Sequence, residues 1–277
     1  MAEPRAPLEY NRLWQMRLWL FAVFFFLYAP LMALIVFSFN DSKRTTVWRG
    51  FTVRYYEKLF GNDSLLLAFG NSLTIAFVAT LISLVIGAFA AILLWRYRFW
   101  GKTAVEGAFT LPLVVPEICM GVSMLLFFTR VIPWPNALPW PLNLGSIIIA
   151  HVSFCFPFVA LVVRARLASF NKEQEEAARD LGANDWQVFR DVLLPHIRPA
   201  LIAGALLAFT LSLDDFVITF FTSGPDTVTF PVKVYSMLRF SVTPEVNAAS
   251  TMLIVLTIVL MALMMLMQSR AQKKARK

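Results

Sequence analysis

Three carboxylates stand in stretches that are otherwise uncharged. Glu117 is the only charge in Gly107–Thr129, and the adjacent pair Asp214 and Asp215 carries the only charges in Pro199–Pro225. Ionisable groups in such apolar runs are costly to bury and mark functional sites by default. Glu117 follows Glu106 by eleven residues, ~16 Å along a helix, whereas Asp214 and Asp215 lie ~23 Å beyond Pro199. Pro112 and Pro116 precede Glu117 and break the helical pattern, as suits a segment lining a cavity. Fixed negative charge on such a segment predicts a pathway for cations. The alternative is that these acids pair with His151, Arg130 or an arginine of a partner and only hold helices together. Protons or metal ions are other cations to weigh, although the spacing shows no His/Asp relay. The chain has no Ser/His/Asp set and no paired acid and base in a water-filled site, so it predicts no catalytic residue and no metal site.

The elements that position these acids follow from composition. Only 15% of the 277 residues are charged, against ~25% in an ordinary soluble domain. Leu18–Asn40, Ser64–Trp95, Val131–Val163 and Val246–Ser269 carry no charge at all. Each exceeds the ~20 residues that an α-helix needs to cross hydrocarbon, and spanning segments must bond their own backbone. With the two acid-bearing runs, six spans are predicted, at 18–39, 69–95, 107–130, 144–165, 199–221 and 247–268. The first is longer than the apolar core of a signal peptide and lacks a small-residue cleavage site, so it reads as a retained anchor.

Basic residues orient the array. Six spans put both termini on one side, with the connections after the second and fourth spans, and that side holds 17 of the 25 Lys and Arg. It is therefore the predicted cytoplasmic side, and the net charge of +8 needs no nucleic acid to explain it. Cys119 and Cys155 fall inside spans and read as small packing residues. The segment 132–141 is too proline-rich for a helix and reads as a stiff external connection. The external stretches 40–68 and 223–246 mix basic and aromatic residues, which suits docking of a delivery protein or anchoring at the membrane interface equally.

One segment breaks the apolar pattern. Residues 171–198 are polar and punctuated as two short helices. Asn171 with Gln174, and Asn184 with Gln187, have capping-box spacing. Gly182 supplies the left-handed residue that ends the first helix, and Pro195 is expected to stop the second. Trp186, Phe189, Val192 and Leu193 share a helical face, too apolar for a plain solvated loop, which predicts docking into a partner's groove.

Glu176-Ala177-Ala178, Gly182 and Val192-Leu193-Leu194-Pro195 resemble the EAA motif of bacterial ABC importer permeases, with Val in place of Ile. The resemblance implies an all-α membrane protein with the type I (MetI-like) permease fold and a transmembrane domain over about 67–262. Residues 1–66 would form the N-tail, first helix and external connection, and 263–277 the end of the last helix and a basic tail. It also implies that Glu176, Ala177, Ala178, Gly182, Trp186, Phe189, Leu194 and Pro195 couple the chain to a separate ATPase dimer. The chain itself lacks a nucleotide loop. Its Gly101-Lys102-Thr103 has Arg96 where such a loop needs a second glycine, so ATP and Mg would belong to the ATPase and no cofactor to this chain.

The stretches LPLVVPEICMGVSMLLFF, LAFTLSLDDFVITFFTSGP and FPVKVYSMLRFSVTPEVNA resemble the second permease of the polyamine (spermidine/putrescine) branch. That implies a second, non-identical permease, a periplasmic polyamine-binding protein, and a dication passing Glu117, Asp214 and Asp215. A self-sufficient secondary transporter or channel subunit is the competing reading, and only the segment 173–195 disfavours it. Putrescine and spermidine are not separable from this chain.

Overall fold

The computed structural model describes residues 13–42, 47–131, 142–240 and 244–275, and the described residues are almost wholly helical. The proline-rich segment 132–141, Lys43, Arg44 and the first basic residues of the N-tail lie outside them. In chain order the helices are α1 (Leu13–Phe37), α2 (Arg54–Phe60), α3 (Asp63–Arg96), α4 (Lys102–Val114), α5 (Glu117–Leu126) and α6 (Leu144–Leu167). They continue with α7 (Glu173–Asp180), α8 (Asp185–Gln187), α9 (Leu194–Asp214), α10 (Val217–Thr222), α11 (Phe230–Phe240) and α12 (Pro244–Ala275). Wider π turns extend α5 over Phe127–Val131 and join α8 to α9 over Val188–Leu193.

Among the described residues, five helices are long and apolar enough to cross a membrane: Trp14–Phe37, Asp63–Arg96, Leu144–Leu167, Asp185–Asp214 and Pro244–Leu263. A sixth crossing requires α4 and α5 together, and these are bent by 109° at their junction. The expected third span is therefore two half-helices, because Pro116 has no N–H to continue the ladder and biases Val115 to extended backbone (φ −68°, ψ 131°). The expected fifth span is also broken. Regular helix ends at Asp214, and α10 starts afresh at Val217.

The chain forms two compact units. One comprises residues up to Gly61 with Met237–Ile254, and the other Asn62–Ser236 with the residues after 254. In the first, buried Asn40 organises the turn after α1. Its amide donates to the Val47 carbonyl at 2.8 Å, and its Oδ1 accepts from the Arg49 N–H at 2.8 Å. Phe39 stacks on Phe51 at 5.3 Å and meets Tyr56 at 5.1 Å, while Lys58 pairs with Glu245 at 3.2 Å. Neither α2 nor α11 was expected from the polar external stretches.

The second unit is built on α3, α6 and α9. Lipid is as apolar as leucine, so helices associate there by close packing of small residues. Buried Ala68, Ser72, Ala76, Ala79, Ser83 and Ala91 recur along α3 at intervals that keep them on neighbouring turns of one face. Cys155 and Val159 of α6 are wholly buried in the same core. Cys119, by contrast, is exposed on α5, so only one of the two cysteines is a core residue.

Ala79 is wholly buried, whereas Phe77 on the opposite face of α3 is 59% exposed. Ala79→Leu overpacks the seam and is expected to destabilise the chain by about 1–3 kcal/mol. Thermal unfolding of the chain in detergent should show a lowered midpoint for Ala79→Leu and an unchanged one for Phe77→Leu.

Candidate functional site: two helix breaks and a polar lever

The breaks at Pro116 and at Asp214–Phe216 place the three acids. Glu117 opens α5, Asp214 closes α9, and Asp215 occupies the extended link to α10 (φ −62°, ψ 125°). The half-helices α5 and α10 pack directly on each other. Gly121 permits the approach, since a Cβ there would stand 2.7 Å from the Phe221 ring and 3.4 Å from the Val217 carbonyl. Glu117, at the start of α5, and Asp214, at the end of α9, are both exposed in the isolated chain.

Asp215 behaves differently from its neighbour. It is buried, and its carboxylate accepts from the Ile218 N–H at 3.3 Å, the Thr219 N–H at 2.8 Å and the Thr219 hydroxyl at 2.8 Å. His151 of α6 places Nε2 3.3 Å from the same carboxylate and 2.9 Å from the Thr219 hydroxyl, while Nδ1 lies 2.7 Å from the Ser212 hydroxyl. The spacing gave no sign of a His/Asp pair, yet the fold makes one. His151 is the partner of Asp215 that the helix-holding alternative named. Thus the three acids separate into an exposed pair, Glu117 and Asp214, and a buried one that is fully hydrogen-bonded.

Aromatic rings cluster just after the second break. Phe216 lies 4.6 Å from Tyr235 and 5.6 Å from Phe220, ring centre to ring centre. Phe220 and Tyr235 are half exposed, so their faces are open to a cation. Sequence reading took Tyr235 for an external residue and passed over Phe216 and Phe220, because aromatic residues in an apolar run give no local signal.

The polar segment 171–198 forms a lever. Asn171 does not cap α7 through Gln174 as expected. Its Oδ1 accepts from the Glu173 N–H at 3.0 Å, so the turn closes one residue early and α7 starts at Glu173. Its acidic first turn complements the positive helix end. At the far end Gly182 has φ +88°, and the Gly182 and Ala183 amides donate to the Arg179 and Ala178 carbonyls at 2.9 and 3.0 Å. This paired closure satisfies the last carbonyls of α7. The second cap is the expected box: Asn184 Oδ1 accepts from the Gln187 N–H at 2.9 Å, and Gln187 Oε1 from the Asn184 N–H at 2.8 Å.

Pro195 does not end the helix as expected. The chain runs helically from Asp185 to Asp214. The π turn over Val188–Leu193 widens the ladder ahead of Pro195, which enters α9 in its first turn, where a missing N–H is tolerated. Phe189, Val192, Leu193 and Leu194 join the core of the second unit, whereas Trp186 is 64% exposed and Leu181 89% exposed. Trp186 stacks on Phe189 at 5.6 Å, so an outward apolar surface is continuous with the core. Glu176 and Ala177 are exposed beside it. An ion pair from Arg96 of α3 to Glu175 at 3.2 Å ties α7 to the bundle.

Broken membrane helices with paired acids, served by a rigid polar lever, define a membrane component of a transport system. The chain belongs to the family described as "Binding-protein-dependent transport system inner membrane component", whose match covers residues 83–277. That match starts inside α3 and extends through the basic tail, further along the chain at both ends than the expected 67–262. The chain is 45% identical over 234 residues to the putrescine transport system permease protein PotI of Escherichia coli K12, covering 83% of this chain and 82% of that one. It is 41% identical over 246 residues to the spermidine/putrescine transport system permease protein PotC of Haemophilus influenzae, covering 88% and 92%. In fold it is similar to a chain of a bacterial alginate ABC transporter solved with its periplasmic protein, at a TM-score of 0.74 and 18% identity over 93% of this chain and 94% of that one. The chain is thus an all-α ABC importer permease of the type I fold and a transporter subunit, not an enzyme. A self-sufficient carrier does not fit this membership.

Gly182 has open space around it, so a side chain there meets no neighbour, but its positive φ would strain any other residue by about 1–2 kcal/mol. Gly182→Arg is expected to insert in the membrane at the wild-type level, because α7 lies outside the packed core, and to lose transport. Quantifying the chain in membrane fractions beside an uptake assay checks both halves. Normal uptake at normal level would remove the lever from the mechanism.

Proposed function

We propose that this chain is one of two non-identical permeases in an ABC importer of polyamines, putrescine or spermidine. Its lever, carrying Glu176, Ala177, Ala178, Gly182, Trp186 and Phe189 and ending at Leu194 and Pro195, docks in a groove of a separate ATPase dimer. Both termini and the lever face the cytoplasm, the side on which the basic residues gather. A periplasmic polyamine-binding protein delivers substrate to the opposite face. ATP and Mg are bound by the ATPase, and this chain holds no cofactor.

The observation that carries the substrate reading is a pair of exposed carboxylates, Glu117 and Asp214, each standing at a helix break inside a span. A diamine is a flexible dication, and two carboxylates on opposing half-helices offer it charge without a closed cage. The Phe216, Phe220 and Tyr235 rings add cation-attracting faces beside an apolar wall for the methylene chain. The named relatives support the same cargo. In this reading Asp215 belongs to the path as the anchor of the break and not as a contact for substrate.

Uptake of labelled putrescine, with unlabelled spermidine as competitor, tests the assignment in cells lacking the chain and in cells resupplied with it. Uptake should return with the wild-type chain and be lost with Glu117→Gln combined with Asp214→Asn, at equal chain in the membrane. Putrescine and spermidine uptake that never depends on the chain would overturn the cargo. Uptake surviving the double neutralisation would overturn the acidic path and leave the importer reading standing.

A further inference from the structure

The buried group around His151 does more than neutralise a charge. A helix break inside a membrane leaves amide and carbonyl groups without partners or water. At the break between α9 and α10, Asp215 takes over the amide end, accepting from the Ile218 and Thr219 N–H groups at 3.3 and 2.8 Å. Ser212 precedes the break and Thr219 follows it, and His151 reaches both hydroxyls, at 2.7 and 2.9 Å, from a third helix. His151, Ser212 and Thr219 are 2%, 4% and 0% exposed, so water does not substitute for any of these bonds.

The hydrogens can be counted. The Thr219 hydroxyl donates to Asp215 Oδ2, so it accepts from His151 Nε2–H. Nδ1 then accepts from the Ser212 hydroxyl. A single imidazole orientation, with Nε2–H toward Thr219 and Nδ1 toward Ser212, serves both hydroxyls, while Asp215 accepts from the Ile218 and Thr219 amides and the Thr219 hydroxyl with the imidazole 3.3 Å away. Asp215 is therefore buried and held through both of its oxygens, and its orientation is fixed. Asp214 is the residue before it, at the last position of α9, and it stays exposed.

We propose that His151 is a positioning residue for transport: from α6 it splints the two sides of the α9–α10 break through Ser212, Thr219 and Asp215, and thereby sets where Asp214 stands at the end of α9. This rests on the reading of Asp214 as part of the substrate path. It gives His151 no contact with substrate and makes its effect wholly dependent on Asp214.

That dependence is measurable in the complete transporter, reconstituted with its second permease, ATPase and binding protein. Labelled putrescine uptake and binding-protein-stimulated ATP hydrolysis are compared for wild type, His151→Leu, Asp214→Asn and the double variant. His151→Leu should lower uptake by about tenfold, mid-range for coupling between neighbouring residues, while ATP hydrolysis continues, so that transport per ATP falls. The double variant should lose no more uptake than Asp214→Asn alone. His151→Gln, which can accept from Ser212 and donate to Thr219, should restore uptake to within about threefold of wild type on the same coupling scale.

If His151→Leu does not accumulate, Ser212→Ala is read in the same cycle, because it removes one bond of the splint and keeps the imidazole. Losses from His151→Leu and Asp214→Asn that multiply, or normal coupling in His151→Leu, would overturn the splint while leaving the path intact. Full uptake by Asp214→Asn would overturn the path and the splint with it.

Discussion

Hydrocarbon offers no hydrogen bonds, and the architecture of this permease depends on how two interrupted helices meet that constraint. An unbroken span bonds every one of its own amides, but a break inside the span exposes donors and acceptors that must be matched within the protein. At the first break, Pro116 contributes no N–H to be left unmatched, and its carbonyl accepts from the Cys119 N–H at 2.9 Å as α5 starts. At the second, Asp215 supplies the acceptors, and the side chains of Thr219 and His151, from two different helices, hold it in place. The two solutions differ in kind. One removes a donor, and the other imports a charge and then buries it. The imported charge requires the polar group around His151, which in turn ties α6 to both sides of the break.

The same accounting separates the polar lever from the spans. Outside the hydrocarbon, unmatched groups can meet water, and the lever uses side-chain caps and a glycine closure that would be inadequate within a span. Its stiffness comes from the joint with the bundle. The π turn at Val188–Leu193 carries helix past Pro195 without a stop, so α8 and α9 form one continuous rod from Asp185 to Asp214. Arg96–Glu175 and the Trp95–Phe170 contact, at 3.2 Å and 5.7 Å, brace the other limb against α3. A push at Trp186 therefore reaches the break at Asp214 along one helix, with no flexible linker between. Lever and acids, far apart in function, are the two ends of a single element.

Much of this was legible in the residues. Long uncharged runs located the spans, because a helix crossing hydrocarbon has little freedom of composition. The polar, punctuated run 171–198 located the lever, and the Asn184–Gln187 spacing specified a cap that formed as expected. What failed to show was cooperation between distant positions. Asp215, Ser212 and Thr219 are close in sequence, and an Asp followed four residues later by Thr is a capping pattern. Inside an apolar run that pattern was not read as a helix start. His151 lies sixty-one residues before Ser212, and no local periodicity connects them. The expected stop at Pro195 failed for a related reason, since proline's effect depends on whether the preceding turn can widen, which the sequence does not declare.

Adjacent acids in a membrane pose a problem that burial alone does not decide. Two neighbouring carboxylates on a regular helix would project about 100° apart and could share one polar face. Here Asp214 is the last residue of α9 and Asp215 opens the extended link, and the two differ in burial. One is sealed against His151, and its neighbour is left at the exposed side with Glu117. The break itself therefore assigns the two roles, and it does so because the fixed partner is on the inner side. An asparagine at either position could keep a cap or a contact, but only a carboxylate at Asp215 matches a bond set in which every partner donates. Only a carboxylate at Asp214 would draw a cation to the junction. The Asp-Asp pair is thus two different requirements placed side by side, and the first must be met for the second to have a defined position.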